Sequence, residues 1–359
     1  MKYPSIDYHN YLKLDSVLGA QSLRSEEFGK PAHDEMLFII VHQAYELWFK
    51  QILTELNSVL AIMNGSKVPE EAIGLVVHRL ERVREIQKLI NGQVDVLETM
   101  TPLDFLDFRD YLYPASGFQS FQWRCIETKL GLTSEQRLQF NDSPFFKALT
   151  ESQQKEMQII LGEASLFEAV DSWLARIPFL EKDTFNFWQS YQAAVLDMLN
   201  EDITVIQENP RLSEGEKKRS TGVLEQTRKT AELFFNASEY DTLKASGTFR
   251  LSYRAMHAAL FIQVYRDRPV LQGPHRLISA LIDIDEKMTE WRYKHALMVQ
   301  RMLGKKIGTG GSSGADYLKA ATEKHAVFRD FSSLSSFLIP RSKIPRLPKE
   351  VEEQMHFRF

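Results

Sequence analysis

The chain has 359 residues, 43% hydrophobic and 26% charged, enough for one large domain or two ordinary ones with a sizeable core. A net charge of −4 advertises neither nucleic acid nor an anionic membrane as a partner. Cys125 is the single cysteine, which excludes an intrachain disulfide, and no apolar run approaches the roughly 20 residues that span a bilayer.

The opening MKYPSIDYHNYLKLD has no apolar run after its lysine, so no signal peptide is expected and a soluble, intracellular protein is the economical reading. Residues 34–63 are predicted helical, with Leu37, Ile40, Val41, Ala44, Leu47, Trp48, Leu53 and Leu56 as the buried stripe. Asp34 and Glu35 suit its positive end, and Asn64-Gly65 suits its termination. A second helix is predicted from Glu70 to about Leu97. TPLDFLDFRDYL starts a third element, interrupted at Pro114, and FQSFQWRCIETKLG a fourth that ends at Gly131. Residues 132–250 are more polar, with helical patches EAVDSWLARI and FWQSYQAAVLDML and a break at ENPRLSEGEKK. Strong helical patterns return in FRLSYRAMHAALFIQVY and in a run from Pro274 to Leu303, with Pro274 expected in the first turn and Gly304 as the stop. No period-two alternation persists long enough for a sheet, and no internal repeat is present. The expected fold class is all-α: one main domain with a helical insertion.

The nine histidines are scattered without an HExxH pair, so a zinc site has little support. No G-x-S-x-G elbow favours a hydrolase, and Cys125 reads as a buried, inert thiol. His42 lies in LFIIVHQAYELWFKQILTEL with Phe38, Tyr45 and Phe49 at helical spacing. It is either a core histidine or a ring projecting into an aromatic pocket suited to a flat ligand. His295 has Trp291, Met298 and Met302 on its face, an apolar setting that suits an axial haem ligand and equally describes an ordinary core stripe. Arg109 could clamp a carboxylate with two parallel hydrogen bonds, or pair with Asp104, Asp107 or Asp110; Phe105, one turn earlier, adds an aromatic wall. The loop GTGGSSG, Gly308 to Gly314, lets backbone approach a ligand and offers the hydroxyls of Thr309, Ser312 and Ser313. It is neither a phosphate loop nor a dinucleotide fingerprint, and a surface linker is its ordinary alternative.

HQAYELWFKQI, PLDFLDFRDYLYPASGFQS, the run WRYKH…MVQRMLG…GTGGSSG…YL and the ending LIPRSKIPRLP closely resemble the tryptophan 2,3-dioxygenase family of haem enzymes. The resemblance covers residues 5–131 and 250–348, while the central segment matches mainly in position and helical character. It implies a helical-bundle haem and substrate domain from residues 1–131 and 250–359, a helical insertion at 132–249, and a cytoplasmic homotetramer. It implies haem b held by His295 as iron ligand, with Ser116, Gly117 and Gly308 on the haem-pocket lining. His42 is then the distal histidine that meets the indole N–H, and Arg109 and Thr309 hold the carboxylate and amino-acid head group. Phe38 and Phe105 become pocket walls, and Tyr8 and Tyr11 reach into a neighbouring subunit's site. Val41 stands where many members have a polar residue. The implied reaction inserts O2 across the indole C2–C3 bond of L-tryptophan to give N-formyl-L-kynurenine, with no nucleic acid or membrane partner. A haem-dependent indole monooxygenase and a non-catalytic haem or gas-binding protein are the alternatives, and a cofactor-free helical scaffold is a third.

Overall fold

Local signals set where the helices begin and end. The computed structural model describes residues 3–65, 67–138, 145–182, 185–304, 306 and 314–355. An N-terminal arm carries three short helices, α1 (Tyr8–Leu12), α2 (Leu14–Leu18) and α3 (Arg24–Glu27). The long α4 (Asp34–Met63) and α5 (Glu70–Leu97) follow. α6 (Pro102–Arg109) opens on a reciprocal cap between Thr101 and Asp104, with proline in the first turn, where its missing N–H costs nothing. α7 (Phe121–Leu130) stops at Gly131, whose φ of 117° favours glycine. A Cβ there would also stand 2.6 Å from Cβ of Phe167.

α8 (Glu151–Leu161) and α9 (Leu166–Leu174) both open on Ser/Thr capping boxes. After a minimal antiparallel pair, β1 (Glu181–Lys182) and β2 (Phe185–Asn186), α10 (Phe187–Glu208) and α11 (Glu214–Phe235) form a helical hairpin. α12 (Ala237–Ala245) leads into α13 (Tyr253–Val264), α14 (Pro269–Leu303) and α15 (Gly314–Lys324). Two short helices, α16 (Arg329–Ser333) and α17 (Lys349–Gln354), complete the set. No helix among the described residues is long and apolar enough to cross a membrane.

α14 lies along α5 and α15, and α4 lies along α5 and α7. Side-chain amides and a phenol stitch these helices by their backbones. Gln87 donates to the Ile284 carbonyl (3.2 Å), Asn91 to Lys287 (3.1 Å) and the Tyr45 hydroxyl to Ile90 (3.0 Å). The main core is an apolar cluster that includes Phe187, Tyr191 and Phe234 from the central segment as well as Leu56, Leu281 and Ile284, and a small second cluster joins Cys125, Leu149 and Met157. α13 is buried on every side from Ala255 to Ile262, the condition under which a helix can be apolar all round.

Two sequence expectations need correction. The face of α4 that enters the core carries Val41, Tyr45, Phe49, Ile52, Leu56 and Val59, whereas Ile40, Leu47 and Trp48 are 48%, 59% and 37% exposed. α4 is apolar on more than one side, so spacing alone did not choose the phase; the aromatic rings that meet α5, α7 and α14 did. The run expected from Pro274 begins instead at Pro269, which takes the first helical position, and Pro274 lies inside the helix. Its missing N–H costs one intrahelical hydrogen bond near the start, where the long packing surface of α14 offsets the loss.

His257 shows what burial does to a titratable core group. It is 0% exposed and its Nδ1–H donates to the Tyr253 carbonyl (2.8 Å), with Trp188, Phe234 and Tyr240 packed round the ring. Burial pushes its pKa down to about 4, opposed by the hydrogen bond to Tyr253. The unfolded chain therefore takes up this proton first as pH falls. The stabilising contribution is complete above about pH 6.5 and is lost towards pH 4, on the order of 3 kcal/mol. His257→Phe is expected to flatten the pH dependence of urea-unfolding stability across that window. An unchanged slope would remove His257 as a source of acid lability.

Candidate active site

α4 and α14 each present one helical face to a common cavity of about 330 Å³, within the size range of small-ligand sites. α4 supplies Phe38, His42, Tyr45, Glu46 and Phe49, and α14 supplies Trp291, Arg292, His295, Met298 and Met302. The three-to-four spacing of both sets is why one wall of each helix faces one space. Phe105 of α6, Trp123 of α7 and the Ser116–Gly117 turn close the sides. The walls are aromatic and in mutual contact. Phe38 meets His42 at 4.1 Å between ring centroids and Phe105 at 5.8 Å, and Trp123 meets Trp291 at 4.4 Å. Trp291 in turn lies 5.1 Å from His295.

Both histidines are neutral at physiological pH. Burial pushes His295 down to about 4, with the His42 charge acting the same way. His42 is lowered by burial, against the hydrogen bond to Phe38 and the charge of Glu46. Its ring has accessible area, but that area faces the cavity whose walls surround it, and the surrounding protein governs its proton. His42 Nδ1 lies 2.7 Å from the Phe38 carbonyl, which can only accept. Nδ1 must then carry the ring proton, leaving Nε2 as a bare acceptor. His295 Nδ1 is buried and has no hydrogen-bond partner among the described residues.

A buried charge cluster forms another part of the wall. Glu127 accepts from Arg124 (2.9 Å), Arg137 (2.6 Å) and Arg292 (3.0 Å), and Arg292 also donates to the His325 carbonyl (3.2 Å). Arg124, Glu127, Arg292 and His325 line the cavity. Glu46, one turn after His42, is held by Ser120 (2.6 Å) and Gln122 (2.8 Å). None of these residues was singled out from sequence. Glu46 and Arg292 sit within one turn of His42 and His295, so a charge on an apolar helical face was the available signal. Arg124 and Glu127 form an i,i+3 pair, and nothing local marks Arg137 or His325.

Of the sequence-derived site residues, Phe38, His42, Phe105, Ser116, Gly117 and His295 line this cavity. Arg109 does not; it ends α6 one turn beyond Phe105, with Nη1 3.8 Å from an Asp110 carboxylate oxygen. Tyr8 and Tyr11 are on α1, 75% and 70% exposed, and are not among the lining residues. Gly308 and Thr309, with the rest of their loop up to Ser313, lie outside the described residues. Cys125 is buried and its thiol is pushed up to about 12 by burial, then by Glu156, which leaves it inert as a nucleophile.

Fold and site together define a helical small-molecule-binding protein, with an aromatic slot for a flat ligand between two neutral imidazoles. The model of the tryptophan 2,3-dioxygenase family matches residues 2–338. A tryptophan 2,3-dioxygenase of Bdellovibrio bacteriovorus is 59% identical over the whole of both chains. One of Alteromonas mediterranea is 48% identical, covering 98% of this chain and 97% of that one. One of Dictyostelium discoideum is 44% identical over 99% and 91%. The chain belongs to the tryptophan 2,3-dioxygenase family and is an oxidoreductase.

Proposed function

We propose that the chain catalyses haem-dependent insertion of both atoms of O2 across the indole C2–C3 bond of L-tryptophan, giving N-formyl-L-kynurenine and opening tryptophan breakdown by the kynurenine route. The observation that carries this reading is the pair of neutral histidines, His42 and His295, brought from two helices onto one aromatic cavity in a chain of this family.

The residues present fit a haem. His295 is a half-buried, neutral imidazole on the cavity wall, as an axial ligand requires. Trp123, Trp291, Met298 and Phe49 supply flat or pliable apolar walls. Arg124 and Arg292 would hold the haem carboxylates, and Arg124 Nε is buried with no hydrogen-bond partner among the described residues. Ser116 and Gly117 complete the lining. Bound haem would supply the redox chemistry with O2.

The protein's own groups position the substrate. His42 Nε2, unprotonated, accepts the indole N–H and orients the ring, acting as a hydrogen-bond partner because that N–H is too weak an acid for a neutral imidazole to deprotonate. Phe38 and Phe105, stacked on each other, wall the indole and exclude water. Arg109 takes the carboxylate and Thr309 the head group. Tyr8 and Tyr11 complete a neighbouring subunit's site in a cytoplasmic homotetramer, which would also cover exposed Ile40, Leu47 and Trp48. Residues 132–249 are an appended helical unit on the haem domain. Anaerobic reduction of the reconstituted protein, then addition of L-tryptophan and O2, tests the reading. Mass analysis should show a product carrying two added oxygen atoms. One added oxygen would give the reaction to a monooxygenase, and no product to a haem protein without catalysis.

A further inference from the structure

Glu127 has no role in substrate positioning, yet it is the most heavily partnered carboxylate of the cavity wall. We infer that Glu127 is a positioning residue that fixes three guanidinium groups, those of Arg124 and Arg292 at the cavity wall, and so sets the reduction potential of the bound iron. The inference rests on the haem reading above and goes beyond it.

The four side chains come from three places in the chain. α7 supplies Arg124 and Glu127, the segment after α7 supplies Arg137, and α14 supplies Arg292, three residues before His295. Glu127 is 1% exposed and Arg124, Arg137 and Arg292 are 7%, 5% and 3% exposed, so bulk salt screens them little. A lone carboxylate in that setting would protonate. The three arginines instead hold Glu127 well below the usual carboxylate range against the desolvation that opposes them. Both carboxylate oxygens are engaged, one by Arg124 and Arg137 and the other by Arg292.

On the cavity wall the Glu127 charge thus faces the guanidinium charges of Arg124 and Arg292, the groups that would hold the haem carboxylates. His325 adds none at neutral pH, because burial pushes it down to about 4 and its Nε2 accepts from the Leu138 N–H. Two other carboxylates face the region. Glu46 is held on the α4 wall by Ser120 and Gln122, and Asp285 of α14 is engaged by the N–H groups of Val327 and Phe328. Reduction of ferric to ferrous iron removes one positive charge from the cavity, so each buried positive charge at its wall favours the reduced state and each buried negative charge the oxidised state. That is the state in which O2 chemistry begins.

Removal of opposite charges gives opposite signs. Glu127→Gln removes the negative charge and should move the ferric/ferrous midpoint to more positive potential. Arg124→Gln removes a positive charge and should move it to more negative potential. The measurement is spectroelectrochemical titration of holoprotein, each variant first checked for a wild-type Soret band. Opposite shifts support the inference. Midpoints that stay put, or move in the same direction, overturn it and leave the cluster a structural cross-link. Should Glu127→Gln fail to fold, Arg124→Gln decides alone by the presence or absence of its negative shift. A wild-type protein without a Soret band after reconstitution would instead sink the haem reading itself.

Discussion

His295→Ala is expected to fold with unchanged helix content and to lose haem on gel filtration after reconstitution. The substitution removes the imidazole from the α14 wall, where Trp291, Met298 and Met302 offer no equivalent nitrogen ligand. The structural cost should be small, about 1 kcal/mol, because the lost ring contacts with Trp291 are balanced by removal of a buried, unpartnered Nδ1. The effect therefore separates cleanly: absorbance at the Soret band goes while the thermal midpoint stays within a few degrees. A variant that keeps its haem and turns over normally would refute the assignment of His295.

The parts of this molecule that were legible in sequence are those decided within a turn or two of helix. Asp34 to Met63 and Glu70 to Leu97 have the bounds expected of them, because acidic first turns and Asn-Gly or Pro-Glu boundaries act locally. Gly131 ends α7 for the same reason. Facing is a different matter. In α4, Leu47 and Trp48 are as apolar as Tyr45 and Phe49, and only the positions of α5, α7 and α14 decide which pair is buried.

The site divides along the same line. Phe38 with His42, and Trp291 with His295 and Met298, are neighbours on one helix, so their spacing announced two coherent faces. What spacing could not announce was that the two faces share a cavity; that came from resemblance to a family. The Glu127 cluster was invisible by either route, since it joins Arg292 to a carboxylate 165 residues away in sequence. A charge read alone in WRCIE is unremarkable, and its meaning depends on partners that only folding assembles.

Arg109→Ala should leave haem binding intact and weaken L-tryptophan binding by about 10- to 150-fold, the equivalent of a lost charge-assisted contact of about 1.5–3 kcal/mol. Arg109 sits at the end of α6, one turn after Phe105, which does line the cavity. The Asp110 carboxylate near it is 90% exposed and 3.8 Å away, a contact that water and salt weaken. A substrate carboxylate presented beside Phe105 would form shorter bonds in a drier place. Arg109→Lys keeps the charge without the planar fork and should fall between wild type and alanine. Tryptamine, which has the indole and ammonium but no carboxylate, provides the control. Its affinity should be the same in wild type and Arg109→Ala, because the group that Arg109 would recognise is missing. Equal loss for both ligands would mean that the substitution had disturbed the Phe105 wall, and no loss for L-tryptophan would assign its carboxylate to another residue.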